Sequence, residues 1–284
     1  MKRTILYLII FIVVEITFGL AVSLVCSHQM SQWLGIESLA HVAPANVTLI
    51  ASGFIAVTLI AIFTLTKWYP VSRQYIRTRP WGQMFWAFLL ALGIVLPLTW
   101  LEEFIPESLR ENILKDDMAA MLHSNAGYFV IAMLMPLAEE IVFRGAMITA
   151  LRNSFSRQSV HPPFKGGLEG PRGLEALLAI VVSAFLFSGA HMNPAQMPHA
   201  LIAGLILGWL YVRTGSIVLC FIVHWVNNSA SFVMAMLFPN VPIDAPLIDY
   251  FNGNQTATIQ AVLSSLLIAL PAFYQLHQLT KKKG

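Results

Sequence analysis

Eight apolar runs dominate this chain, each close to the roughly 20 residues that carry a helix across a hydrocarbon core. They lie near residues 4–26, 46–66, 83–101, 127–151, 175–192, 197–213, 216–238 and 258–278. Inside lipid a segment must pair its own backbone polar groups, so such runs fold as helices. The sequence predicts an all-α, polytopic transmembrane bundle of about eight spans around a polar cavity. Only 11% of the residues are charged, whereas a soluble domain is nearer a quarter; a water-soluble enzyme with one large core is excluded. The two cysteines, Cys26 and Cys220, are far apart and lie in or beside apolar runs. They read as small buried hydrophobes rather than as a disulfide or a thiolate metal site.

The basic residues fix an orientation. If the loops are assigned to alternate sides, 14 of the Lys and Arg residues fall on one side and 2 on the other, with Arg144 left within a span. The positive-inside rule then puts both termini in the cytoplasm, as in a bacterial inner (plasma) membrane protein. Lys2 and Arg3 before the first run resemble a signal peptide, but the run is long and no Ala-x-Ala site closes it. An uncleaved anchor is expected. Residues 104–122 have apolar positions at near-helical spacing and a charged face, as in an amphipathic surface helix. Residues 153–174 are rich in Gly, Pro and Ser and read as a loop. Asn193-Pro194 joins the fifth and sixth runs tightly enough for a bent hairpin. One integrated membrane domain is expected: N-terminal helices with the amphipathic segment (1–126), a core (127–238), and a C-terminal loop with the last helix (239–284). A nucleic-acid partner is not expected.

Ionisable groups within spans are costly, and they mark pathways or chemistry. The fourth run carries Glu139, Glu140 and Arg144. Residues four apart share a helix face, so Glu140 and Arg144 are placed to pair. Glu139 points about 100° away and needs a partner on another helix, a proton or water. The fifth run brings Phe187 and His191, and the seventh His224, Trp225 and Asn228. A carboxylate and an imidazole can share a water and take its proton. An imidazole N–H and an Asn amide can donate to the oxyanion that forms. Phe187 and Trp225 are candidates for the cavity wall. One Glu with two His is also a zinc donor set, so the residues alone leave metal-assisted and metal-free hydrolysis both open. The same groups could instead form a proton relay in a transporter.

Glu139-Glu140-x-x-x-Arg144, Phe187-x-x-x-His191 and His224-x-x-x-Asn228, in that order on separate spans, resemble the three motifs of the CAAX protease and bacteriocin-processing (CPBP, or Abi) family of intramembrane proteases. The resemblance covers about residues 127–238. It implies an endopeptidase acting within the bilayer on a membrane-embedded or lipid-anchored peptide or protein. It implies that Glu139 and His191 activate water, that His224 and Asn228 hold the oxyanion, and that Glu140 and Arg144 support them. It also implies a glutamate mechanism without a cofactor, zinc being the alternative. A non-catalytic bacteriocin-immunity protein would carry the same motifs. His191 falls near the outer end of its span. For it to share a water with Glu139, the fifth span must tilt or pass Pro194, or the cavity must open outward.

Overall fold

A computed structural model describes residues 1–69, 80–110, 115–158 and 172–281. Arg73, Arg77, Arg79, Lys282 and Lys283 lie outside these residues, as do most of the 153–174 loop, with His161 and Lys165, and the middle of the 104–122 segment. Among the described residues ten helices of six or more residues carry the fold. They are α1 (Lys2–Val25), α2 (His28–Trp33), α3 (Pro44–Leu65), α4 (Trp81–Glu102), α5 (Lys115–Leu122), α6 (Asn125–Ser156), α7 (Arg172–Ala190), α8 (Met197–Thr214), α9 (Ile217–Leu237) and α10 (Gln255–Leu279). No strand occurs among the described residues.

Seven of these helices are long and apolar enough to cross a membrane. The eighth expected span, α8, is shorter, and Pro198, His199 and Arg213 make its ends polar. It nevertheless packs closely along α7, as the second arm of the expected hairpin. That hairpin turns at Met192, whose φ of 50° is left-handed, and the Asn193 side chain accepts from the Ala195 N–H at 3.1 Å. The fifth span therefore ends before Pro194 and does not run past it. Gly215, at φ 66°, ends α8, and the Ser216 hydroxyl then caps α9. An αL glycine and a Ser N-cap are the usual stop and start signals. α5 buries Met121 against Ala45 and Leu49 of α3, so this part of the 104–122 segment packs on the bundle.

Two larger apolar cores form. One gathers side chains mainly from α4, α7, α8, α9 and α10, the other from α1, α3, α6, α7 and α8. α6 contributes to both, with Ile148 and Leu151 in the first and Ala138, Ile141, Val142 and Phe143 in the second. It differs from its neighbours in its own hydrogen bonding. Its turns widen to the π-helical i→i+5 pattern over Tyr128–Leu134 and again over Glu140–Ile148. Side chains from three other helices bond to carbonyls in these stretches. Ser183 donates to Phe143 O at 2.9 Å, Tyr211 to Gly145 O at 3.3 Å, and Asn228 to Ile131 O at 3.2 Å. Widened turns of this kind are often found at functional sites.

α4 and α10 make the closest approach. Ser265 donates to the Gly93 carbonyl at 2.6 Å, and a Cβ on Gly93 would lie 2.5 Å from the Ala269 backbone nitrogen. Gly93→Ala should therefore push the two helices apart, at about 1–3 kcal/mol. Gly19→Ala, with open space around its Cβ, is the control. Thermal unfolding in detergent should show a lower Tm for the first variant alone; equal values would show that the contact yields freely.

Candidate active site

Glu140, Arg144 and His224 form the centre, at the seam between the two cores. Glu140 is fully buried and Arg144 almost so. Glu140 Oε1 accepts from Arg144 Nη1 at 2.9 Å and from His224 Nδ1 at 2.8 Å. The second contact ties α6 to α9. Only an N–H can meet a carboxylate in this way, so His224 carries its proton on Nδ1 and turns Nε2 toward Glu139. The Nε2 to Glu139 Oε2 distance is 3.6 Å. Glu139, which has no partner on its own helix, thus meets the same imidazole from the other side.

His191 lies just past the end of α7. Its Nδ1 is 2.9 Å from the Phe187 carbonyl, which can only accept. In the neutral ring Nε2 is then the unprotonated nitrogen, a hydrogen-bond acceptor. Phe187 joins the parts together. The Arg144 guanidinium sits 4.1 Å from its ring centroid. Its edges meet the rings of His191, His224 and Phe143 at centroid distances of 4.8, 5.7 and 5.3 Å. A cation over a ring and edge-to-face aromatic pairs are both favourable geometries. Trp225 is placed differently from the sequence expectation. It does not line the main cavity but donates from Nε1 to the Tyr128 hydroxyl at 3.1 Å. The residue next to His224 on a helix points about 100° away from it.

A cavity of about 490 Å³ is lined by Glu139, Phe187, His191, His224 and Asn228. It runs to Glu102, Glu103, Lys115, Asp244 and Tyr250, at the ends of the helices away from both chain termini. Lys115 and Asp244 pair across this rim at 2.7 Å. Burial raises the Tyr250 hydroxyl pKa above its ordinary value, and the Asp244 and Asp249 carboxylates raise it further. Glu139 and His191 meet in a cavity that opens at the helix ends away from both chain termini.

Sequence reasoning missed two features. His199 bridges Glu102 and Asn227, with Nδ1 2.8 Å from Glu102 Oε1 and Nε2 3.2 Å from Asn227 Oδ1. This chain ties α4, α8 and α9 at the cavity wall. Glu15 is the other; it faces Glu139 and His191 from α1 across a smaller cavity. As the sole charged residue in the apolar interior of the first span, it carried the signal that would have found it.

The fold and site define a helical membrane protein with a carboxylate–imidazole centre in an intramembrane cavity. Residues 122–230 match the family model described as Rce1-like, type II CAAX prenyl endopeptidase Rce1-like. The match agrees with the CPBP membership that the three motifs suggest, and at family level it supports a CAAX-protease-type intramembrane endopeptidase. No curated protein matches, and no solved structure does.

Each His uses Nδ1 within the protein, one toward a carbonyl and one toward Glu140, which leaves Nε2 as the ring nitrogen facing the cavity. Among the described residues no three His, Cys, Asp or Glu side chains converge on one point.

Arg144→Leu should destabilise the protein by about 3–5 kcal/mol, because a buried charge loses its partner. Adding Glu140→Gln removes that stranded charge and should recover part of the loss. Unfolding in detergent would read both, and a double variant no more stable than Arg144→Leu would show that the charge is not the cause.

Proposed function

We propose that this protein is an intramembrane endopeptidase that hydrolyses a peptide bond with water activated by Glu139 and His191. The carrying observation is that Glu139 and the acceptor-bearing His191 line one cavity, with His224 Nε2 beside the same carboxylate. Water between Glu139 and His191 gives a proton to the carboxylate as its oxygen attacks the carbonyl carbon. The oxyanion accepts from Asn228, whose amide has a second N–H beyond the one held by Ile131 O. His224, held by Glu140, receives that proton at Nε2 from Glu139 and donates a hydrogen bond with it to the oxyanion. Collapse of the intermediate breaks the C–N bond as the proton returns through Glu139 to the leaving amine. Protein groups alone do this chemistry, with no metal.

The substrate is a membrane-embedded or lipid-anchored peptide or protein, reached from the face on which the main cavity opens. With the basic ends of the chain in the cytoplasm, that face is the outer one.

The test uses the purified full chain with two probes: a peptide bearing a prenylated cysteine four residues from its C-terminus, and a synthetic single-span peptide. Cleavage of at least one is expected, read by mass spectrometry of the new termini. Glu139→Gln should lower kcat by about 10²–10⁴, the usual contribution of a general base, with the Tm retained. Asn228→Ala should lower it by about 10²–10³. Chelators should leave the rate unchanged. Full activity in Glu139→Gln, or loss of activity on chelation, would overturn the mechanism.

A further inference from the structure

Glu139, Phe187 and His191 form a wall between two cavities. On one side is the large cavity already described. On the other is a space of about 210 Å³ lined by Phe11 and Glu15 of α1, Phe143 of α6 and Ala190 of α7, together with the three wall residues. A cavity stays wet when it is roomy enough and offers a water two to four polar partners. This one has the volume for several waters and three ionisable side chains facing it. Glu15 is half-buried within an apolar helix and lies close enough to Glu139 for the two charges to repel. Among the described residues its carboxylate makes no hydrogen bond or ion pair. A carboxylate kept in a span without a protein partner is costly unless water solvates it.

We infer that the smaller cavity is the water compartment of the site, and that Glu15 is the positioning residue that holds water against Glu139 and His191 from the α1 side. The inference rests on the endopeptidase reading above. It separates the two reactants in space, with peptide in the large cavity, water in the small one and the base between them. The geometry explains why the base needs a path to water that substrate does not block. A peptide filling the large cavity closes that route to Glu139, and the α1 side stays open. Glu15 lies outside the segment that matches the family, so the match assigns it no role.

The experiment measures kcat and KM separately for the full-length protein in detergent, with whichever of the two probes the wild type cleaves. Glu15→Leu removes the polar anchor and should lower kcat about tenfold, the worth of one hydrogen bond to the attacking water, with KM unchanged. Glu15→Gln still bonds water through its amide and should recover most of that loss. Phe11→Trp fills the same space while keeping the Glu15 carboxylate and should also lower kcat alone. Each variant is checked for an unchanged Tm. Wild-type kcat in both Glu15→Leu and Phe11→Trp would overturn the inference, as would a change confined to KM. Glu139→Gln runs alongside. If it is inactive while the α1 variants match wild type, only the water compartment fails; if it is active, the endopeptidase reading itself fails.

Discussion

The Glu140 carboxylate holds the site together. It is fully buried, and one of its oxygens serves both the Arg144 guanidinium and the His224 imidazole. A buried ion pair is weak evidence for stability, because the desolvation cost offsets much of the attraction. Its value here is directional. It fixes the ring plane of His224 and leaves Nε2 aimed at Glu139. Arg144 in turn lies over Phe187, whose other contacts set both imidazoles. One carboxylate therefore determines where three functional side chains point, and it does so from a place no substrate reaches.

Much of this was legible in the residues. Apolar run length placed all eight long helices to within a few residues, because the hydrocarbon core sets that length. The spacing of Glu140 and Arg144 implied their pairing, because residues four apart are neighbours on any helix. That His224 would serve Glu140 as well as Glu139 was not legible, since it depends on how α9 rotates against α6. The same limit hid the Glu102–His199–Asn227 chain, whose members come from three separate helices. As an aromatic on the same span as His224, Trp225 is a candidate for the cavity wall in the sequence. The helical rotation between residues 224 and 225 was enough to argue otherwise.

The parts outside the family match also shape the site. α1 supplies Glu15 and Phe11 to the smaller cavity, and α4 supplies Glu102 to the larger one. α4 is held in place by α10 through the bare backbone at Gly93. Residues 122–230 carry the motifs, while the flanking helices enclose them and set where water and peptide can enter.

The widened turns of α6 have a consequence for sequence length. Between Glu140 and Ile148 the helix winds with more residues per turn than an α-helix does. Deleting one residue there, with the winding otherwise kept, would rotate everything beyond it by about 100°, the angle of one α-helical residue. Thr149, now 3.0 Å from the Tyr211 hydroxyl, would swing away while Glu139 and Glu140 stayed in place. The stretch therefore constrains spacing as tightly as composition. Substitutions along it can be absorbed one side chain at a time, whereas an insertion or deletion would break the contacts between α6 and α8 together.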